Sequence, residues 1–294
     1  MVTAPHDSIR EARLLAAAQS PNIIPLLDTF NQHERFMLVF PFMPYDLGML
    51  LQRNQIPVAS RKPLLRDLFA GLAHLHSLGI IHRDIKPSNI LLASPRGGSA
   101  YIADLGTAWS STDAASEPAA TKHLEVGTTS YRPPELLFGK QDYGTKLDMW
   151  AAGCVAAQVL GLGNRTMFDS GDLGSELALI KSIFETLGTP DLEVWPVSLL
   201  FSRSFVVRPF SVVTARVAQI SVGSARNMCV LTCIFFNQEA ATLPDWGKMR
   251  FTKYARKPWE EILPGLQPQE RDLVSRLLVY ESGNRLSAQE VRLL

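Results

Sequence analysis

The chain has 294 residues, of which 46% are hydrophobic and 19% charged, and a formal net charge of +1 at pH 7. This is the composition of a globular protein with one large or two small domains, and it excludes a disordered or collagen-like chain. The near-zero charge gives no footprint for nucleic acid, the three cysteines indicate a reducing compartment, and no apolar run is long enough to cross a bilayer.

The first predicted elements are a helix and a β-hairpin. Asp7 precedes a segment, SIREARLLAAAQ, in which Ile9, Leu14, Leu15 and Ala18 recur at helical spacing. Two apolar runs, IIPLLDTF and RFMLVFPF, follow with polar residues between them, which is typical of two antiparallel strands.

From Leu47 onward the pattern predicts mainly helices. The segment RKPLLRDLFAGLAHLHSLG is amphipathic, ends at Gly79, and places five leucines on one stripe: Leu64, Leu65, Leu68, Leu72 and Leu75. The segment KLDMWAAGCVAAQVLGLG is apolar on nearly all sides, which predicts a buried central helix.

Two motifs carry chemistry, and they are IHRDIKPSNILL (81–92) and IADLG (102–106). An Asp followed by Lys at +2 and Asn at +5, with Asp-x-Gly about twenty residues later, is a phosphoryl-transfer pattern. Asp84 can accept the proton of an attacking hydroxyl, and Lys86 can neutralise the transferred phosphoryl group. Asn89 and Asp104 offer the oxygen ligands that Mg²⁺ prefers, and Gly106 allows a sharp turn after Asp104.

These motifs resemble those of the eukaryotic protein kinase family, within its cyclin-dependent-kinase-like group. Further matching segments are GTTSYRPPELLFG, LDMWAAGCV, LGTPDLEVWP and LLVYESGNRLSAQE, and Lys86 after Asp84 resembles the serine/threonine class. The resemblance implies an α+β, two-lobe kinase fold over 1–294. Residues 1–46 would be the remnant of an incomplete N-lobe and the hinge, and residues 47–294 a mainly α-helical C-lobe.

The resemblance also implies roles for individual residues. Thr128 would bridge the catalytic Asp and Lys, and Glu11 would pair with the lysine that anchors ATP. The remaining matches concern the adenine site, with Phe40 as the gatekeeper, Pro41, Phe42 and Met43 as the hinge, and Leu91 as the apolar floor. Two structural matches are an ion pair between Glu135 and Arg285 and a hydrogen-bonding role for Asp148 at the His82-Arg83 turn.

One departure concerns the residues before YRPPE. Relatives usually carry a phosphorylatable Thr where this chain has His123, so Arg83 would lack a phosphate partner, and Thr121 is displaced by two residues. Gly127 replaces a Val, and Ser130 replaces a Trp. This pattern resembles the fungal one-chain kinases that activate cyclin-dependent kinases and need no phosphate in this segment. A divergent loop without special meaning is the alternative.

A second departure lies ahead of Glu11. A kinase needs a glycine-rich loop and a lysine-bearing strand there, and ten residues cannot hold the three strands involved. This chain is therefore expected to bind ATP weakly or not at all.

A third departure is the segment 197–238, which contains four Arg but no Lys, Asp or Glu in 42 residues. Relatives run directly from VWP to a segment like EAATLPDWGKM, and the first and last residues of 197–238 can be encoded by splice-site sequences. We interpret 197–238 as a retained intron translated in frame. A genuine insertion is the alternative.

The sequence leaves more than one function open. The first is an ATP- and Mg²⁺-dependent Ser/Thr protein kinase whose protein substrates include cyclin-dependent kinases or the tail of RNA polymerase II. The second is a pseudokinase that acts as a scaffold, and the third is an inactive gene-model fragment. Neither nucleic acid nor membrane is expected as a partner, cyclin dependence stays open, and the expected location is the cytoplasm, the nucleus or both.

Overall fold

A computed structural model describes residues 7–33, 35–94, 98–190, 243–248 and 250–293. Its helices are α1 (Ser8–Ala17), α2 (Leu47–Gln52), α3 (Val58–Ser77), α4 (Pro134–Leu137), α5 (Lys146–Ala157), α6 (Glu176–Leu187), α7 (Trp259–Ile262), α8 (Pro268–Leu277) and α9 (Ala288–Arg292). Its strands are β1 (Asp28–Gln32), β2 (Arg35–Val39), β3 (Tyr45–Asp46), β4 (Ile80–Ile81), β5 (Ile90–Leu92), β6 (Ala100–Ile102) and β7 (Trp109–Ser110).

The predicted N-terminal helix and hairpin are present. The Asp7 side chain caps α1 by accepting hydrogen bonds from the backbone N–H groups of Ile9 and Arg10. β1 and β2 pair antiparallel, with Asp28 opposite Val39. Of the apolar residues at helical spacing, Leu14, Leu15 and Ala18 are buried, whereas Ile9 is 54% exposed. Ile9 lies in the first turn of α1, outside the face of the helix that packs against the core.

Short strands bring the two chemical motifs to one place. β5 lies between β3 and β6 in a three-stranded antiparallel sheet, and β4 pairs with β7. The 82–89 loop connects β4 to β5, and residues 103–108 connect β6 to β7. Because each loop begins in one of these two sheets and ends in the other, the loops lie side by side.

Two long helices form the core of the larger part of the molecule. All five leucines of the predicted α3 stripe are buried, and Gly79 follows the helix with φ of +71°. Every residue of α5 after Lys146 is buried, as predicted. Asp148 of α5 is fully buried, and it lies at the end of α5 that faces the 82–89 loop. The core therefore fixes the position of that loop.

The predicted ion pair between Glu135 and Arg285 is also present. Both Arg285 terminal nitrogens donate to the Glu135 carboxylate at 2.6 Å, and both residues are at least 98% buried. Arg285 also donates to the carbonyl oxygens of Val279, Lys146 and Tyr280. This pair joins α4 to the C-terminal helices.

The observed order of elements confirms the predicted α+β, two-lobe class, with α1 and the hairpin first and helices dominating after Leu47. The boundary between residues 1–46 and 47–294 stays a prediction. The segment 197–238 lies outside the described residues. None of the helices in the described ranges combines the length and the apolar composition that a bilayer crossing requires.

Candidate active site

The loop that carries Asp84 is held from below by the central helix. The Asp148 carboxylate accepts hydrogen bonds from the backbone N–H groups of His82 and Arg83, each at 2.9 Å. His76 of α3 makes a third hydrogen bond to the same carboxylate, also at 2.9 Å. The predicted role of Asp148 at this turn is therefore observed, and His76 is a further partner that the sequence analysis did not single out.

Four of the predicted site residues form one hydrogen-bonded group around Asp84. One Asp84 carboxylate oxygen accepts from both the backbone N–H and the hydroxyl of Thr128, each at 2.8 Å. The other oxygen lies 2.7 Å from Lys86 Nζ and 3.2 Å from Asn89 Nδ2. Lys86 Nζ also donates to Thr128 Oγ1 at 2.8 Å, so that hydroxyl bridges the carboxylate and the ammonium group.

These contacts determine the charge of Asp84. Burial alone would raise the pKa of Asp84, but the hydrogen bonds from Lys86 and Thr128 outweigh burial and hold the pKa below its ordinary value. Asp84 is therefore ionised at neutral pH. An ionised carboxylate at this position can accept a hydrogen bond from a hydroxyl group and orient its oxygen.

Asn89 and Asp104 lie next to each other, as a shared metal site requires. The backbone N–H of Ala103 donates to the Asn89 carbonyl oxygen at 2.9 Å, which places Asp104 beside Asn89. Asn89 Nδ2 donates to the Asp84 carbonyl oxygen at 2.9 Å, and this leaves the Asn89 amide oxygen for a cation. A carboxylate and an amide oxygen suit Mg²⁺, which usually keeps several waters and takes its other ligands from phosphates.

The backbone at this site is strained at two residues that are not glycine. Asp104 has φ of +64° and Arg83 has φ of +72°. A turn follows at Gly106 and Thr107, as predicted, but Gly106 is not among the residues with positive φ. The left-handed conformation that we expected glycine to supply is adopted by Asp104 itself, and the Gly106 N–H lies 3.4 Å from an Asp104 carboxylate oxygen.

Glu11 reaches the same site from α1. Burial raises the pKa of Glu11 to about 7, the negative charge of Asp104 adds to this effect, and the N–H of Leu105 opposes it. Among the described residues, no lysine forms an ion pair with Glu11. Its predicted pairing with a lysine therefore stays a prediction, and a cation placed beside Glu11 would lower this pKa.

The predicted adenine-site residues lie on the connection between β2 and β3 and on β5. Phe40, Met43 and Leu91 are partly buried and pack against the main core, whereas Phe42 is 89% exposed. Asp46 of β3 pairs with Leu91 of β5, so the connection and Leu91 belong to neighbouring strands. The roles of Phe40, Pro41, Met43 and Leu91 toward adenine stay predictions.

The activation segment, residues 104–134, contains a carboxylate that sequence reasoning missed. Glu117 accepts a hydrogen bond from Arg83 Nη1 and forms an ion pair with it, and the backbone N–H of His123 donates to the same Glu117 oxygen at 3.1 Å. We expected Arg83 to lack a phosphate partner, and the Glu117 carboxylate is the anion that contacts it instead. The spacing of Glu117 from His123 matches no family motif, so no sequence pattern singled it out.

The structure explains one of the two substitutions before YRPPE, Gly127, and shows a contact at the other, Ser130. Gly127 has φ of +76°, and a Cβ atom there would lie 2.9 Å from the Arg83 carbonyl oxygen, so a side chain does not fit. The Ser130 hydroxyl lies 2.9 Å from the hydroxyl of Ser170. These contacts fix the backbone on either side of Thr128.

The site can therefore orient a hydroxyl group at Asp84, supply positive charge at Lys86 and offer oxygen ligands to a cation. Asp84, Lys86, Asn89 and Thr128 are in direct contact. Asp104 is adjacent through the backbone, and Glu11 is adjacent to Asp104. This combination suits phosphoryl transfer, which depends on positioning and charge stabilisation.

Comparisons with known proteins agree with this chemistry. The family model of the protein kinase domain matches residues 2–292. The chain is 30% identical over 285 residues to the serine/threonine-protein kinase csk1 of Schizosaccharomyces pombe, and the alignment covers 95% of this chain and 77% of that protein. It is 41% identical over 191 residues to cyclin-dependent kinase 7 of Xenopus laevis, which covers 64% of this chain and 51% of that protein.

A solved structure is similar as well. The crystal structure of the yeast RNA Pol II CTD kinase CTDK-1 complex matches with a TM-score of 0.72 and 27% identity, over 97% of this chain and 78% of that chain. The family model covers nearly the whole sequence, and the relatives are serine/threonine kinases. The chain belongs to the protein kinase family, as a serine/threonine kinase of the cyclin-dependent-kinase-like group.

Proposed function

We propose that this protein transfers the γ-phosphoryl group of ATP, bound with Mg²⁺, to serine or threonine hydroxyls of protein substrates. The observation that carries the proposal is the group of contacts around Asp84, where Thr128, Lys86 and Asn89 hold an ionised carboxylate in one orientation. This is the arrangement that a base for an attacking hydroxyl needs.

Each residue of the group has a separate task. Asp84 accepts the hydrogen bond of the substrate hydroxyl and aims its oxygen, and little further chemistry is required of a base in phosphoryl transfer. Lys86 balances the negative charge of the transferred group. Asn89 and Asp104 hold Mg²⁺, which neutralises phosphate charge. Thr128 keeps Asp84 and Lys86 in register.

ATP binding involves the remaining predicted residues. In a complete N-lobe, Glu11 would pair with the lysine that holds the phosphates, since residues 1–10 contain no lysine. The backbone of Pro41, Phe42 and Met43 bonds adenine beside Phe40, and Leu91 lies under the ring. Burial and the charge of Asp104 raise the pKa of Glu11, so a cation beside Glu11 would stabilise its ionised form.

The substrates are proteins, as the name of the similar serine/threonine-protein kinase csk1 indicates. We infer that cyclin-dependent kinases are substrates, because the segment before YRPPE resembles that of kinases that activate them. The tail of RNA polymerase II is a second candidate, because the similar solved structure is a kinase of that tail. We propose the cytoplasm, the nucleus or both as the location of the protein.

The experiment is transfer of ³²P from labelled ATP by the full-length protein, by which we mean the chain with a complete N-lobe that includes the glycine-rich loop and the lysine-bearing strand. The substrates are an unphosphorylated cyclin-dependent kinase and a peptide of polymerase tail repeats. We expect transfer that Asp84→Asn lowers by about 10²–10⁴-fold, which is the usual contribution of a general base. Chelation of Mg²⁺ with EDTA abolishes transfer, and added Mg²⁺ restores it.

The control for folding is the thermal unfolding of Asp84→Asn, which retains an oxygen for the Thr128 N–H. Transfer by Asp84→Asn equal to that of the parent would show that Asp84 is not the base. A parent protein that transfers no phosphate but still binds a cyclin-dependent kinase would instead indicate the scaffold function.

A further inference from the structure

Three buried cations surround Glu117 in the activation segment. Arg10 comes from α1, Arg83 from the loop that carries Asp84, and Lys122 from the activation segment, and each is at most 4% exposed. Burial lowers the pKa of Arg10, the charge of Arg83 lowers it further, and Glu117 opposes both effects. Buried charges of one sign are unfavourable unless an opposite charge lies among them.

Glu117 is the anion at the centre of this cluster. Its carboxylate pairs with Arg83, and among the residues that the structure describes no other carboxylate lies within ion-pair distance of Arg83. Burial lowers the pKa of Lys122, and Asp142 and Glu117 oppose that shift. The Lys122 ammonium lies 4.5 Å from the centre of the Trp109 ring.

The same residue fixes the backbone of the activation segment. The His123 N–H donates to the Glu117 carboxylate at 3.1 Å, and Trp109 Nε1 donates to the Glu117 carbonyl oxygen at 2.8 Å. Tyr143 accepts a hydrogen bond from Arg83 at 3.2 Å and donates to the His123 carbonyl oxygen at 2.6 Å. The segment is thus attached to Arg83 on both sides of Glu117.

The positions of the cations connect this cluster to the catalytic residues. Arg83 directly precedes Asp84, and Arg10 directly precedes Glu11. Arg10 also donates to the Gly106 carbonyl oxygen at 3.2 Å, two residues after Asp104. The charge of Glu117 pairs with Arg83 and attracts Arg10. It therefore acts on the 82–89 loop, on α1 and on the activation segment, which together supply the residues of the site.

We propose that Glu117 is a positioning residue for phosphoryl transfer, and that its fixed charge orders the activation segment without any phosphorylation of that segment. The proposal rests on the proposed kinase function for its activity readout. The contact that it describes is also measurable in a protein that transfers no phosphate.

The experiment compares Glu117→Gln, Glu117→Asp and the parent in the full-length protein, each before and after treatment with a protein phosphatase. Loss of the charge in Glu117→Gln is expected to lower kcat for protein phosphorylation by about 10- to 100-fold, the factor that a charged hydrogen bond is worth. Glu117→Asp keeps the charge and should recover part of that loss. The phosphatase should leave the parent's activity unchanged.

The matched control is Glu125→Gln, because Glu125 is an exposed carboxylate of the same segment and its substitution should leave kcat unchanged. Equal activity of Glu117→Gln and the parent overturns the proposal. So does a phosphatase-treated parent whose activity falls to the level of Glu117→Gln.

Hydrogen exchange of the His123 amide provides a readout that needs no catalysis. We expect a protected amide in the parent and in Glu125→Gln, and faster exchange in Glu117→Gln. If the parent transfers no phosphate, the proposed function fails. The exchange rate of the His123 amide still shows whether Glu117 holds the segment. Unchanged exchange in Glu117→Gln would show that Glu117 does not hold the segment.

Discussion

At the scale of single residues, the Thr128 hydroxyl determines how Asp84 and Lys86 are placed. It donates to Asp84 and accepts from Lys86, both at 2.8 Å, while the Thr128 backbone N–H makes its own bond to Asp84. Thr128→Val keeps the shape and the backbone bond but removes the bridge. We expect kcat for ³²P transfer to fall by about 10- to 100-fold, the value of a lost hydrogen bond to a charged group.

Thr128→Ser is the matched control, because it keeps the hydroxyl and loses one methyl group. Its kcat should stay close to that of the parent, and thermal unfolding should be similar for both variants because the bridge lies at the surface of the site. Thr128→Val as active as Thr128→Ser would mean that the bridge has no part in positioning Asp84.

The residue types and their spacing predicted which residues form the site, but not the backbone conformation that holds them. Asp84, Lys86, Asn89 and Asp104 follow from their spacing in the sequence, because phosphoryl transfer needs these groups in this order. Positive φ at Arg83 has no counterpart in residue preference, since arginine rarely adopts it. Tertiary contacts impose that conformation, and contacts between distant residues leave no local pattern.

At the scale of elements, α5 supports the catalytic loop through one buried carboxylate. Burial alone would raise the pKa of Asp148, but the hydrogen bond from His76, the nearby histidines and the Arg83 N–H hold it below its ordinary value of 3.8. Asp148→Asn removes the charge and places an NH₂ group among donors. We expect the free energy of unfolding in urea to fall by about 3–5 kcal/mol at pH 7, as for other broken buried pairs.

The pH dependence of this effect follows from the direction of the shift. A carboxyl group whose pKa is lower in the folded state binds more protons in the unfolded state, so it stabilises the fold above pH 3.8. That contribution is lost as the pH falls through the folded-state value. The difference between parent and Asp148→Asn should therefore narrow below pH 3.8.

Asp172→Asn is the control for the same change at an exposed position outside α5, and it should change the unfolding free energy by less than about 0.5 kcal/mol. A difference between parent and Asp148→Asn that stays the same at every pH would contradict a charged Asp148. Equal stability of Asp148→Asn and the parent at pH 7 would contradict its structural role altogether.

The helices show which part of an element the sequence can predict. The apolar stripe of α3 and the uniform burial of α5 were both correct, because hydrophobic periodicity directly reflects which faces are covered. His76 illustrates the limit. Its partner Asp148 lies 72 residues further along the chain, so the contact depends on how α3 packs against α5.

At the scale of the whole molecule, the activation segment is the part that the sequence predicted least well. The sequence analysis noted that position 123 holds a histidine and not a phosphorylatable residue. The carboxylate that contacts Arg83 belongs to Glu117, which is 34 residues from Arg83 in the sequence. Besides Asp104, three acidic residues of this segment were available, and they are Asp113, Glu117 and Glu125. Only the folded path of the segment decides that Glu117 reaches Arg83.

The flanks of residues 197–238 are attached to each other by their own hydrogen bonds. The Thr189 N–H donates to the Tyr254 carbonyl oxygen at 3.1 Å, and the Thr189 hydroxyl donates to the Thr252 carbonyl oxygen at 2.8 Å. Both flanks therefore have fixed positions in the described structure. Removal of 197–238 would leave ten residues between Pro190 and Leu243, which can span about 30 Å.

We therefore predict that the protein without 197–238 folds and keeps its ³²P transfer activity. The shorter connection should raise the free energy of unfolding by about 1–1.5 kcal/mol, because less loop-closure entropy is lost on folding. A variant with 197–238 replaced by Gly and Ser of equal length should match the parent. Loss of cooperative unfolding in the shortened protein would indicate a genuine insertion, as would transcript reads that retain the 197–238 codons in most messages.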